Sequence, residues 1–130
     1  MHTVLLVEDN LDILENLSES LELEGYKTLM CNNGKTGIEC LAQISPDLIV
    51  CDIGMPDMDG YEFIILLLDM PEHYEIPFIF STSKSEKNDV KKALEIGADR
   101  IITKPYLTID LLSMIDELII SGSKRRKMAF

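Results

Sequence analysis

The chain reads as a doubly wound α/β domain, a five-stranded parallel sheet between two layers of helices, and three observations predict it. Short apolar runs alternate with helix-length segments along the whole chain. Those runs are apolar throughout rather than at every second residue, the pattern of strands buried on both faces. A length of 130 residues suits one domain with a sizeable core and leaves little room for a second.

The elements follow in order. Val4-Leu5-Leu6-Val7 makes the first strand, and Glu8-Asp9 breaks it. Asn10 can cap a helix that carries Ile13, Leu14, Leu17 and Leu21 on one face, and Gly25 stops it. Residues 28–31 form a weaker strand, Asn33-Gly34 turns the chain, and Ile38, Leu41 and Ile44 stripe the next helix. Leu48-Ile49-Val50-Cys51 ends in Asp52, and Gly54, Pro56 and Gly60 punctuate the following loop. The helix over 61–70 is strongly apolar. Its stretch 63–68 is apolar nearly all round, which predicts a helix wedged into the core. Phe78-Ile79-Phe80 runs into Ser81-Thr82-Ser83, and a polar helix over about 85–96 stops at Gly97. Ile101-Ile102 leads to Thr103-Lys104-Pro105. Thr108 is placed to cap the last helix, with Leu112, Ile115, Leu118 and Ile119 facing inward. The domain is expected over 1–121. Residues 122–130 read as a basic tail or the start of a linker, mobile from Ser121 onward because it is charged and lacks an apolar stripe.

Composition narrows the function. Hydrophobic residues are 46% and charged residues 27%, ordinary for a globular domain, so disorder is expected only at the ends. The net charge is −11, yet Lys124, Arg125, Arg126 and Lys127 sit together near one end, so the body is more acidic still. Such a body does not attract nucleic-acid phosphates but suits a divalent cation or a basic partner. Cys31, Cys40 and Cys51 lack metal-ligand spacing and read as free thiols in a reducing compartment. No export signal follows Met1, and the apolar run 63–68 is too short for a bilayer, so the expected location is cytoplasmic. His2 and His73 lack partners at ligand spacing and read as surface residues.

The informative feature is where the apolar runs stop. Glu8 and Asp9 end the first strand, Asp52 the third, Thr82 the fourth and Lys104 the fifth. In an open parallel sheet these are the carboxyl ends, where ligands bind at the point at which strand order reverses. With the first and third strands adjacent, Glu8, Asp9 and Asp52 converge, and they repel one another unless a cation intervenes. Mg²⁺ fits, since it takes oxygen ligands and is usually held by one or two carboxylates plus phosphate. Lys104 adds a point charge for a phosphoryl oxygen and Thr82 a hydroxyl. The set describes a phosphoryl-transfer site with Asp52 as nucleophile. A lone Asp or Asn beside a turn is usually a turn former or cap, and Asn10 and Asp57 keep that reading. Five polar residues ending four strands at one edge do not.

With these residues in view, the chain resembles two-component response-regulator receiver domains of the chemotaxis-regulator kind, over about residues 4–120. The resemblance rests on Val-Glu-Asp-Asn at 7–10, Cys-Asp-Ile-Gly-Met-Pro-Asp-Met-Asp-Gly at 51–60, Ile-Pro-Phe-Ile-Phe-Ser-Thr at 76–82, Gly-Ala-Asp at 97–99 and Lys-Pro at 104–105. It implies a flavodoxin-like sheet of order 2-1-3-4-5 and phosphorylation of Asp52. It further implies that Asp9 binds Mg²⁺ directly, that Glu8 does so through water or as a further ligand, and that the Gly54 carbonyl is a backbone ligand. Thr82 and Lys104 would hold phosphoryl oxygens, and the Lys104–Pro105 bond would be cis. The implied partners are a sensor histidine kinase or phosphotransfer protein and a downstream output domain or protein. The domain would be a regulatory phospho-acceptor, catalysing only its own phosphoryl transfer and dephosphorylation.

Three positions depart from the usual receiver pattern. Ile101 stands where an aromatic switch ring is usual, Ser83 where Ala or Gly is usual, and Gly54 contributes no side chain. The switch is therefore expected in the loop 83–88 and the helix after it, and Lys84 is the side chain placed to steer the hydrolytic water. Three other readings fare worse. A haloacid-dehalogenase-type phosphatase needs a second Asp where Gly54 stands. A binding-only pseudo-receiver usually lacks one of the reactive groups kept here. A flavodoxin-like cofactor binder wants a Ser/Thr/Gly-rich loop in place of Glu8-Asp9-Asn10-Leu11.

Overall fold

A computed structural model describes residues 1–83 and 87–125 of the chain. Its elements alternate strictly: β1 (Thr3–Val7), α1 (Leu11–Leu23), β2 (Lys27–Cys31), α2 (Gly34–Leu41), β3 (Leu48–Asp52), α3 (Gly60–Leu68), β4 (Phe78–Thr82), α4 (Lys87–Ile96), β5 (Arg100–Thr103) and α5 (Thr108–Ser121). The five strands are parallel in the order β2-β1-β3-β4-β5, as expected.

Alternate residues of the central strands feed two cores. Leu5, Val7, Ile49, Cys51, Phe78 and Phe80 meet Leu41, Phe63, Ile64, Leu67 and Ala93 from α2, α3 and α4. Val4, Leu6, Leu48, Val50 and Ile79 meet Leu14, Leu17 and Leu21 of α1 and Leu111, Ile115 and Leu118 of α5. This two-sided burial is the physical reason the central strands carry unbroken apolar runs rather than alternating ones. Every residue of β3 and β4 is buried. Among the described residues no helix is long and apolar enough to cross a membrane.

Local chemistry sets the helix ends. The Asn10 side chain accepts from the Ile13 amide (3.1 Å), and Asn33 and Asp59 do the same for Thr36 and Glu62, each satisfying an orphan donor of a first turn. Gly25 takes a φ of 94° just past α1, a conformation that costs a glycine nothing.

Several expectations are corrected. Asn33 is a helix cap rather than a simple turn former, and α2 ends at Leu41, which leaves Ile44 exposed beyond it. The apolar helix α3 is not buried all round: Phe63, Ile64 and Leu67 face the core, while Ile65 is 54% exposed and Leu66 also points outward. Thr108 does not cap α5. It is the first helical residue, and the Leu107 carbonyl before it accepts from Asp110 and Leu111. His2 is exposed, but His73 is buried, because its Nε2–H donates to the Leu41 carbonyl (2.6 Å) and pins the loop after α3 to the end of α2. The mobile tail is also corrected as far as it is described. Ser123 is fully buried, and Lys124 and Arg125 are hydrogen-bonded to the body. Lys84, Ser85, Glu86 and residues 126–130 lie outside the described residues, and with them the expected role of Lys84 and most of the loop 83–88.

All three cysteines are free, with Cys31 and Cys51 buried and Cys40 partly exposed. Burial, then the proximity of Cys40, pushes the Cys31 thiol up to about 11, and burial followed by the charges of Asp52 and Glu8 raises Cys51 well above the usual range. Only a thiolate attacks an alkylating agent. Iodoacetamide on the native chain near pH 8 should therefore modify Cys40 first, with Cys31 and Cys51 reacting only after unfolding, as peptide mass mapping would show.

Candidate functional site

Strand register assembles the site. Val7 of β1 pairs with Cys51 of β3, so Glu8 and Asp52 emerge side by side. Asp52 pairs with Ser81 of β4, and Thr82 pairs with Thr103 of β5, which puts Thr82 and Lys104 at the same edge. Backbone bonds carry the pairing past the strand ends: the Glu8 amide donates to the Cys31 carbonyl (3.0 Å) and the Lys104 amide to that of Thr82 (2.7 Å). These are the carboxyl ends, with strand order reversing between β1 and β3.

Glu8, Asp9 and Asp52 each offer a carboxylate oxygen, and these oxygens lie within 4.8 Å of one another. Glu8 and Asp52 are buried, whereas Asp9 is exposed. The Lys104 ammonium donates to Glu8 Oε1 at 2.5 Å and stands 3.6 Å from Asp52 Oδ1, so one cation spans two acids. The other Glu8 oxygen accepts from the Asn10 amide (3.2 Å). Burial pushes the Glu8 carboxyl up, and the bonds from Lys104 and Asn10 only partly offset it. Burial pulls the Lys104 ammonium down, but its bond to Glu8 and the charge of Asp52 outweigh that and leave it raised, hence charged at neutral pH.

The loop after Asp52 is shaped by two residues. Asp57 sits at φ 66°, the turn-forming reading expected of it. Gly60 donates its amide to the Ile53 carbonyl (2.9 Å) and has no room for a side chain: a Cβ would come within 2.7 Å of the Asp52 carbonyl oxygen and 2.8 Å of Ile53 Cα. Gly54 is the opposite case. It is exposed, and a Cβ there would meet nothing within 4 Å, so no side chain is crowded out at this position.

Thr82 is buried at the end of β4, and Ser83 is exposed just beyond it. Ile101 is half-buried opposite Phe80 and packs on the face of the sheet covered by α2, α3 and α4. The Lys104–Pro105 bond is cis.

Two rings escaped the sequence reading. Tyr106 follows the cis bond, and burial, then the charges of Glu8 and Asp52, pushes its hydroxyl up to about 12, so its phenol lies in the field of the acid pair. Its place two residues past Lys104 was the available signal. Tyr61 of α3 stands edge-on to Phe80 with ring centroids 5.6 Å apart, and Lys92 of α4 lies 4.3 Å above its ring. The aromatic beside β4 thus comes from α3, a packing no local pattern announces.

Comparison with known proteins agrees with this geometry. The family model described as response regulator receiver domain matches residues 4–116. The response regulator SaeR of Staphylococcus epidermidis is 33% identical over 124 residues, which cover 95% of this chain and 53% of that protein. SaeR of Staphylococcus aureus is 34% identical over 119 residues, 92% of this chain and 51% of its own length. The chain therefore spans about half the length of these curated relatives. Among solved structures, the signal receiver domain of a signal transduction histidine kinase from Syntrophus aciditrophicus is 38% identical with a TM-score of 0.86, over 93% of this chain and 92% of that one. A response regulator receiver domain protein from Methanospirillum hungatei is 27% identical with a TM-score of 0.86, over 93% and 95%. Fold, site geometry and relatives agree: the chain belongs to the receiver domains of two-component response regulators, the family that accepts a phosphoryl group on an aspartate.

Proposed function

We propose that Asp52 is the phosphoryl acceptor of this receiver and that Glu8, Asp9 and Asp52, with the Gly54 carbonyl, hold Mg²⁺. The observation that carries the reading is the trio of carboxylate oxygens within 4.8 Å of one another, with Lys104 bridging two of the acids. An all-oxygen, anionic donor set suits a hard cation, and three acids so close favour one. When bound, Mg²⁺ supplies positive charge against the phosphoryl oxygens.

The chain's own groups do the rest. A carboxylate oxygen of Asp52 attacks phosphorus, and the bond to the donor nitrogen or oxygen breaks with its electron pair leaving on the donor. Lys104 turns from Glu8 to a phosphoryl oxygen, and the Thr82 hydroxyl donates to another. Receiver domains take phosphoryl groups from histidine kinases. For this chain a cytoplasmic histidine kinase or phosphotransfer protein fills that role, and water returns Asp52 to its free form. The receiver body occupies 1–121. The residues from 122 lead beyond it, and an output domain or separate protein reads the state through Ser83, α4 and the neighbourhood of Ile101.

Incubation of the 130-residue chain with acetyl phosphate and Mg²⁺ should add one phosphoryl mass in intact-mass spectra. Asp52→Asn or chelation of Mg²⁺ should abolish the gain. An Asp52→Asn chain that still gained the mass would refute the assignment.

A further inference from the structure

The segment after α5 is held by a construction that the phosphorylation chemistry does not use. Asp99 lies between α4 and β5 and is 1% exposed. Its Oδ2 accepts from the Phe78 amide (2.8 Å), and its Oδ1 accepts from the Lys124 amide (2.7 Å) and the Ser123 hydroxyl (3.1 Å). The Ser123 oxygen in turn accepts from the Arg125 amide (3.1 Å), as a helix cap would. The Arg125 side chain then folds back onto the body. Its Nε donates to the Tyr74 carbonyl (2.7 Å), one terminal nitrogen to the Ile76 carbonyl (2.5 Å) and the other to the Gly97 carbonyl, with Asp99 Oδ2 3.6 Å away.

Three carbonyls and a buried carboxylate around one planar cation make a site for a guanidinium rather than an ammonium, whose donors do not lie in a plane. Two of the carbonyls belong to the loop between α3 and β4, and the third closes the C-terminal end of α4. We propose that this socket binds Arg125 as an internal ligand and serves as the joint between the receiver body and the basic segment that follows Ser123. Because Gly97 ends α4, a displacement of α4 changes the socket, and the segment's anchorage reports the state of the body. That coupling rests on the phosphoryl site proposed above.

Amide hydrogen exchange on the full 130-residue chain tests both parts. The Lys124 and Arg125 amides should exchange at least roughly tenfold more slowly than in an unstructured chain. Arg125→Ala should remove that protection while β1 and β3 keep theirs, and Arg125→Lys should fail to restore it. Protection at 124 and 125 that survives Arg125→Ala overturns the socket. In the parent chain, beryllofluoride with Mg²⁺ should change exchange at these two amides by at least about threefold. A response at Asp52 and Thr82 without one at Lys124 and Arg125 would leave a static clasp and overturn the joint. No response at Asp52 and Thr82 would overturn the phosphoryl site and the joint together.

Discussion

Lys104→Ala should lower the stability of the Mg²⁺-free chain and at the same time tighten its hold on Mg²⁺. Lys104 is the cation between two buried acids, 2.5 Å from Glu8 and 3.6 Å from Asp52. Breaking a fully buried pair by removing one partner costs about 3–5 kcal/mol, because the other charge stays desolvated. The Lys104 side chain is 21% exposed, so water screens part of the interaction and about 1–3 kcal/mol is expected here. The same change removes a positive neighbour that competes with a divalent ion for Glu8 and Asp52. Added Mg²⁺ should then recover most of the loss and raise the melting temperature of the variant more than that of the parent. Thermal unfolding across a Mg²⁺ titration measures both. Equal Mg²⁺-induced shifts in parent and variant would show that Lys104 and the cation do not share these carboxylates.

Gly60→Ala should destabilise the fold by about 1–3 kcal/mol and impair phosphoryl uptake, although alanine is the better helix former. Gly60 begins α3, where the intrinsic advantage of alanine is at most about 1 kcal/mol. Against it stands a Cβ 2.7 Å from the Asp52 carbonyl oxygen, 2.8 Å from Ile53 Cα and 2.9 Å from the Phe80 ring. Two of these neighbours are backbone and cannot rotate away, so the peptide that carries the acceptor must move. The steric term wins. Urea unfolding would give the stability change and intact-mass labelling the loss of uptake. A variant as stable as the parent, and labelled at the same rate, would show that this loop yields without cost. Gly54→Ala is the contrasting control, since its Cβ would meet open space.

Periodicity and chemical type carried most of the fold and the inner part of the site. Uniformly apolar strands require helices on both faces, which fixes the layer architecture and the edge at which Glu8, Asp9, Asp52, Thr82 and Lys104 gather. Those residues were legible because each interrupts an apolar run, and an interruption is a local event. The helix cap at Asn10 is local too, bonding three residues onward.

What the tertiary structure alone decided depends on partners distant in sequence. Lys104 bonds Glu8, 96 residues away, so nothing near either residue shows that the resting lysine is engaged with that acid. His73 is buried because the Leu41 carbonyl waits for its proton, 32 residues back. Ile65 and Leu66 point outward because α3 offers only one side to the sheet, although its stretch 63–68 is apolar nearly all round. The basic segment read as a solvated tail, since charge without an apolar stripe has nothing to bury against water. Yet Arg125 finds the carbonyls of Tyr74, Ile76 and Gly97 and the carboxylate of Asp99, supplied by separate parts of the chain. The sequence by itself determined which residues are apolar, which can cap and which can react. Only folding decided which polar groups meet, because hydrogen bonds and ion pairs are satisfied through space, and no period along the chain records them.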